Sequence, residues 1–434
     1  MFSSVPSLEQ NPVSRPWRIS RQTMRNLREH CPIRPVAPTL SRRALLSTSA
    51  ALGLTGCALP TRLPAVPVER RPEVTVLGLP NERFFPSDPA GQFGLQQEFA
   101  AAVQRNIARR GLPAGAPIPE LDLLAISGGG EDGAFGAGLL VGWTELRTRP
   151  EFFLVTGVST GALTAPFAFL GSDWDAALRA VYTEVTLADI LTRRYPTAAL
   201  FDDAMADNTP LLRTISRHMT EQMLGEIARA YDAGRLLLIG TTNLDAERPV
   251  IWNVGAIARS GHPRALDTVR RIMLASAAIP GAFAPVLFDV SLGEGQYQEL
   301  HVDGGVFAQA FLYPSSVGDL RRQRIARGLP TAPIRAWIIR NARLEPRGSE
   351  VNRRTLGIVG RAVGSMIAAS GRNDVVRMHL ASERDHVDYN LAFIGNDFAI
   401  PYTLPFDRAY MRPLFEYGRQ RMLRGEAWVK RPPA

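Results

Sequence analysis

A chain of 434 residues, 45% hydrophobic and 21% charged, is large enough for one big core or two domains and is balanced like a globular protein, not a disordered one or a repeat array. The net charge of +9 is no nucleic-acid footprint: residues 1–56 hold eight arginines against Glu9 and Glu29, leaving 42 basic and 39 acidic residues elsewhere with no clustered basic face. Lys430 is the only lysine, and Cys31 and Cys57 are the only cysteines, which excludes a Walker-type phosphate loop, a lysine-based nucleophile in the core, a disulfide framework and a cysteine metal site.

The first segment reads as an address. Ser41-Arg42-Arg43-Ala44-Leu45-Leu46 resembles a twin-arginine export motif, and the apolar run Ala44–Leu54 behind it is too short to span a bilayer. Leu54-Thr55-Gly56-Cys57 resembles the lipobox of bacterial lipoproteins, in which the cysteine is lipidated and becomes the new N-terminus. The expectation is an export signal over 1–56, lipidation at Cys57, and a protein anchored at the membrane of the bacterial cell envelope. A proline-rich tether over 58–71 and an N-terminal extension to residue 115 would follow.

The apolar run Leu121–Ile126 has strand length and stops at Ser127-Gly128-Gly129-Gly130; Glu131-Asp132-Gly133 leads into a buried helix from Ala134 to Leu146. A second buried strand, Phe152–Thr156, ends at Gly157-Val158-Ser159-Thr160-Gly161, and Ala162–Leu170 begins another helix. The pentapeptide Gly-X-Ser-X-Gly alone is a weak signal, with about 0.15 chance occurrences in a chain this long. Its position at a strand-to-helix junction gives it weight, because a nucleophile elbow needs that sharp turn with flanking glycines around the strained serine. The same glycines, Gly128, Gly130 and Gly133, also fit a dinucleotide fingerprint and hence an oxidoreductase. That fingerprint requires an acidic residue at the end of the second strand, where this chain has Thr156-Gly157. As an oxyanion loop the run makes sense without it, since bare glycine backbone lets amides point at a developing negative charge.

A third block is His301-Val302-Asp303-Gly304-Gly305, in isolation no more than a turn. Glycine loop, serine elbow and Asp-Gly-Gly in this order resemble the patatin-like phospholipase family. Ala275–Val286 is similar to that family's block before its aspartate, Arg235–Asp245 to its central strand and turn, and Phe406–Met411 is a weaker match. The resemblance implies a three-layer α/β sandwich with a mainly parallel sheet, a catalytic core over 116–345, and a C-terminal helical region over 346–434 packed on it. It implies a serine acyl-ester hydrolase of phospholipase A type without a cofactor, Asp303 taking the proton of Ser159 and Gly128, Gly129 and Gly130 holding the oxyanion. Gly133, Gly157, Gly161, Gly304 and Gly305 would support the turns. One residue departs from the pattern: the family has Lys or Arg where this chain has Asp132, whose side chain is expected to turn away from the oxyanion, toward an arginine.

A full Ser–Asp–His triad in that chain order would have to use His379 or His386, the only histidines after Asp303, and both lie in charged stretches that read as surface. His301 shares a strand face with Asp303 and is expected no nearer than behind the site. No spacing of His, Asp and Glu suggests a metal, and Asp202-Asp203 reads as a solvated turn. The partners expected are a lipid or acyl-ester substrate and a membrane surface. A non-catalytic envelope binding protein is disfavoured by the intact serine, aspartate and glycines, whereas an acyltransferase would use the same residues. Glu350–Arg384 reads as an amphipathic helix that packs on the core, covers the site or faces lipid.

Overall fold

The computed structural model describes residues 62–113, 116–194, 204–345, 348, 351, 353 and 355–433. Strand β1 (Arg83–Phe84) and helix α1 (Pro89–Arg109) precede a first crossover unit, β2 (Leu121–Ile126), α2 (Gly133–Glu145) and β3 (Leu154–Val158). Helices α3 (Thr160–Leu170), α4 (Asp175–Thr183) and α5 (Leu187–Ile190) follow, then the small strands β4 (Thr192–Arg193) and β5 (Ala206–Asp207), and α6 (Thr209–His218) and α7 (Glu221–Asp232). Strands β6 (Leu236–Asn243) and β7 (Arg248–Asn253) lead to α8 (Val254–Arg259) and α9 (Ala265–Ser276), then to the hairpin β8 (Val286–Leu292) and β9 (Gly295–Asp303). The chain closes with α10 (Ser315–Ala326), β10 (Ile334–Arg340), α11 (Thr355–Arg384), β11 (Asp388–Phe393) and α12 (Arg408–Leu423).

The central sheet runs β1-β7-β6-β3-β2-β10-β11, with β9 added to β6 and β8 to β9. From β6 to β11 every neighbour is parallel, and β1, β7, β8 and β9 are antiparallel. The parallel strands are apolar on both faces because helices cover both. Leu121, Leu123 and Ala125 join one core with α1 and the second half of α11, and Leu124 and Ile126 join the other with α2, α3, α9 and α12. Helix α2 is apolar all round and buried from Gly133 to Trp143, as a helix enclosed between layers must be. A side chain at Gly138 would stand 1.9 Å from the Phe415 carbonyl of α12, so the last helix packs backbone to backbone on the first crossover. This is the three-layer, mainly parallel sandwich that the sequence implied.

Of the segment expected as a tether, the part from Arg62 onward lies against the sheet. Arg62 forms a bidentate pair with Asp245, Val66 is buried, and the Gln298 amide donates to the Pro64 carbonyl. The C-terminal region contributes a strand, β11, as well as helices. Among the described residues no helix is long and apolar enough to cross a membrane.

Candidate active site

Strand β6 brings the two halves of the site together. On one edge it pairs first with β3, as far as Val158 opposite Gly240, and then with the end of β9, Asp303 opposite Thr241. The residue after β3 is Ser159 and the last residue of β9 is Asp303. Two segments 144 positions apart in sequence therefore meet at consecutive residues of one strand. Both lie at the C-terminal ends of the parallel strands, where open α/β sheets place their sites.

Ser159 has φ 56° and ψ −127°, a region that non-glycine residues occupy only when the surroundings enforce it. A side chain at Gly157 would lie 2.4 Å from the Gly161 carbonyl, and one at Gly161 would lie 2.1 Å from that of Ile126; both must stay bare for the elbow to close. The Ser159 amide donates to the Ser276 hydroxyl at 3.0 Å, which donates to the Gly240 carbonyl at 2.7 Å. Ser276 is thus a positioning residue that ties the elbow to β6.

Asp303 is buried. Burial pushes its carboxyl up to about 6, against the opposing pull of the Ser159 hydroxyl and of the Gly305 amide that bond it. The Gly305 contact is 2.7 Å long. A side chain at Gly304 would stand 2.6 Å from the Gly240 carbonyl, so the Asp-Gly-Gly turn sits directly on β6. A carboxylate with its pKa near 6 and its oxygen on a serine hydroxyl has the geometry and proton affinity of a general base.

The glycine loop faces the serine from β2. A side chain at Gly128 would point at Ser159, 3.1 Å from its Cβ, and one at Gly129 would strike the Asn341 carbonyl at 2.0 Å. Gly133 opens α2 beside the Thr160 hydroxyl. One detail differs from the sequence expectation of three oxyanion donors. The Gly128 N–H is already given to the Gln309 carbonyl at 3.1 Å, so the remaining loop amides are those of Gly129 and Gly130. Gln309 is itself fixed, its amide bonded to the Asp374 carboxylate at 2.6 Å and its side chain to the Gly305 carbonyl at 2.9 Å.

The loop is held from below by residues that no motif announced. The Asn341 side chain accepts from the Gly136 amide and donates to the Ser127 carbonyl. Arg340 reaches the Ser127 hydroxyl at 3.2 Å and the Gly128 carbonyl at 3.3 Å. Burial pushes Arg340 down to about 10, with Asp374 and Asp132 acting against it, so it remains a cation under the loop at neutral pH. Arg340 and Asn341 end β10, the strand beside β2, and position at a parallel strand's C-terminal end was the signal that could have found them.

Asp132 does turn aside, but its bonding partner is a tyrosine: the Tyr410 hydroxyl of α12 donates to it at 2.6 Å. Burial lifts Asp132 to about 6; the Tyr410 bond and the nearby charges of Arg343 and Arg340 act the other way.

The histidines lie elsewhere. His301 is buried between the Trp252 and Phe288 rings, bonded to Thr241 at 3.0 Å and to Glu299 at 3.2 Å, and burial lowers its pKa despite the Glu299 carboxylate. His386 precedes β11 at the N-terminal edge of the sheet, opposite to Ser159, and the His379 ring packs at a tilt against Tyr389 of that strand. Cys57 and the pair Asp202-Asp203 fall outside the described residues. Among the described residues no group of three His, Cys, Asp or Glu is placed to hold a metal.

An apolar recess opens beside the elbow. It starts at Gly130 and Thr160 and runs between Leu163, Phe167, Ile215 and Met219. The neighbouring Tyr182 hydroxyl is bonded to the side chains of Thr160 and Thr164, so that polar atom is satisfied.

Fold and site together define an α/β protein with a strained serine on a strand-to-helix elbow, facing a buried aspartate. Residues 124–312 match the family model Patatin-like phospholipase, so this segment is a patatin-like phospholipase domain by sequence. Among solved structures, the chain is similar to VipD from Legionella pneumophila, at 13% identity and a TM-score of 0.34, over 71% of this chain and 68% of that one. It is also similar to the type III effector protein ExoU, at 13% identity and a TM-score of 0.25, over 71% of this chain and 54% of that one. No curated protein sequence matches the chain.

Proposed function

We propose that this chain is a serine hydrolase of lipid acyl esters, with Ser159 as nucleophile and Asp303 as its base. The observation that carries this reading is the register on β6, which sets a strained serine hydroxyl against a buried carboxyl lifted to about 6. At pH 7–8 such a group is mostly ionised and still basic enough to accept a proton. Asp303 takes the Ser159 proton as Oγ attacks the ester carbonyl carbon. The oxyanion that forms is met by the Gly129 and Gly130 amides, with the positive end of α3 and the Arg340 cation nearby. Collapse breaks the ester bond, and the departing alkoxide takes the proton from Asp303. Water, activated by the same carboxylate, then releases the acyl group from the serine. The recess from Thr160 to Met219 suits the acyl chain, since it is lined by apolar side chains and begins next to the nucleophile.

The family match over residues 124–312 supports a lipid ester as substrate. Export and lipidation at Cys57 would set the enzyme at an envelope membrane; incorporation of labelled palmitate into the wild type but not into Cys57→Ser tests that part. The activity itself is tested with a fluorophosphonate probe. Wild type is expected to label, Asp303→Asn to label at least roughly a hundredfold more slowly, and Ser159→Ala not at all. Equal labelling of Ser159→Ala and wild type would rule out the nucleophile assigned.

A further inference from the structure

Helix α11 is far longer than the strands it joins. It connects β10 to the parallel neighbour β11 and so runs back along the sheet, its N-terminus at the strands' C-terminal ends. A seven-residue strand such as β10 is about 23 Å long, whereas the 30 residues of α11 make about 45 Å of helix. The crossing point is fixed by contact: a side chain at Gly371 would fall 2.3 Å from the Arg340 guanidinium, which ends β10 and reaches under the glycine loop. From there to its C-terminus the helix packs, with Val375 and Met378 buried and the Val375 carbonyl accepting from the Tyr389 hydroxyl. Upstream of Gly371, residues 355–370 overhang the sheet by roughly 24 Å, on the side where Ser159 and Asp303 lie.

That overhang has the composition of a core and the surroundings of a surface. Met366 is 70% exposed, Ile358 52% and Val363 44%, and a side chain added at Gly360 or Gly364 would meet no other part of the chain within 4 Å. On a helical wheel Ile358, Ala362, Val363, Met366 and Ile367 occupy one half, and Gly360, Arg361, Gly364 and Ser365 the other. Residues 355–370 contain no acidic residue, and Arg361 is their only charge. Two further apolar projections stand at the same mouth. Val306 and Phe307 are exposed directly behind the Asp303 turn. Leu404 and Tyr402 are exposed too, on a loop that Tyr402 ties to Glu131 beside the glycine loop.

We infer that this rim, led by the overhanging half of α11, is a lipid-docking face that lays the mouth of the site on a phospholipid bilayer. The inference rests on the hydrolase reading above and names the surface from which that site draws its substrate. The occupant follows from three features: an exposed apolar face on the overhang, no acidic residue over 355–370 to oppose anionic headgroups, and continuity with the site proposed above for lipid esters. Amphipathic helices of this kind settle at the headgroup boundary in proportion to the apolar area they bury.

The test uses the full chain carrying Cys57→Ser, which removes any acyl anchor, and Ser159→Ala, which makes binding independent of turnover. Co-sedimentation is measured with vesicles of equal parts phosphatidylcholine and phosphatidylglycerol. The chain is expected to pellet with the vesicles, and adding Val363→Asp with Met366→Asp to weaken binding by roughly tenfold or more. With Ser159 restored, the same pair should lower hydrolysis of vesicle lipid by the same factor and leave turnover of a soluble monomeric ester unchanged. That last control shows that the variant is folded. Unaltered vesicle binding by the Val363→Asp, Met366→Asp chain would overturn the inference. So would a wild-type dimer that the two substitutions split, because the face would then serve a second copy. A wild type that binds vesicles but turns over neither ester would tell against the hydrolase reading alone.

Discussion

Two carboxyls flank the glycine loop, and both are lifted by burial to about 6, yet their surroundings differ. Asp303 bonds a serine hydroxyl whose oxygen can attack an electrophile while its proton passes to the carboxylate, on a backbone strained into the elbow. Asp132 bonds the Tyr410 phenol, itself held well above the usual tyrosine range by its own burial and by the carboxylate beside it, so no proton moves there at neutral pH. On the proposed mechanism the same desolvation makes one carboxyl a base and leaves the other a structural acceptor, and the group at the far end of the hydrogen bond decides which.

The largest test of that contrast is turnover of a soluble ester. Asp303→Asn is expected to lower kcat/KM by roughly 10²–10⁴, and Asp132→Asn by less than about threefold, because the loop amides and Arg340 are left in place. Equal losses in the two variants would break the distinction and make Asp132 part of the chemistry.

The pH profile comes next in size. The proposed reaction needs ionised Asp303, so kcat/KM should rise about tenfold per unit up to a pKa near 6 and then level off. The acid limb should survive Asp132→Asn unchanged. The stability effect has the opposite sense. A carboxyl whose folded pKa lies above its unfolded value costs stability as pH rises through that window, from about 4 to about 6, and the loss persists above it. Asp303→Asn should therefore be more stable than wild type at pH 8, by roughly 1–3 kcal/mol, with the gain absent near pH 4. Thermal melts at the two values decide it, and a variant destabilised at pH 8 would mean that the carboxylate is better paired than its burial implies.

What was legible in the sequence follows the range of each contact. The elbow and the glycine loop are local: strand, glycine and helix signals within some fifteen residues specify them, and β2, α2, β3 and α3 form where those signals lie. Asp303 could be placed only through family resemblance, because its meeting with Ser159 depends on β6 sharing one edge between a parallel and an antiparallel strand, which no local periodicity encodes. The same reason hid Gln309, whose carbonyl takes the Gly128 amide, and Ser276, Arg340 and Asn341, which brace the elbow and loop from other strands and helices. Of the helix expected over Glu350–Arg384, Thr355–Arg384 forms, but amphipathicity alone left packing, covering and lipid contact open. The length of β10 measured against α11 separates the packed half from the overhanging one.

The smallest effect expected is the one that isolates the hydrogen bond on Asp132. Tyr410→Phe keeps the ring that packs edge-on against Phe398 and removes only the donor. At pH 5 Asp132 is mostly protonated, and the loss should be that of a neutral hydrogen bond, about 1 kcal/mol. At pH 8 the ionised carboxylate loses a charge-assisted bond, and the destabilisation should grow to roughly 1.5–3 kcal/mol. Because this bond pulls the Asp132 pKa down against burial, its removal should also move that titration upward, which carboxyl NMR can follow. The acid limb of kcat/KM should stay where Asp303 puts it. If the limb moved with the Tyr410 substitution, the titration that governs turnover would belong to Asp132, and the two carboxyls would have to exchange roles.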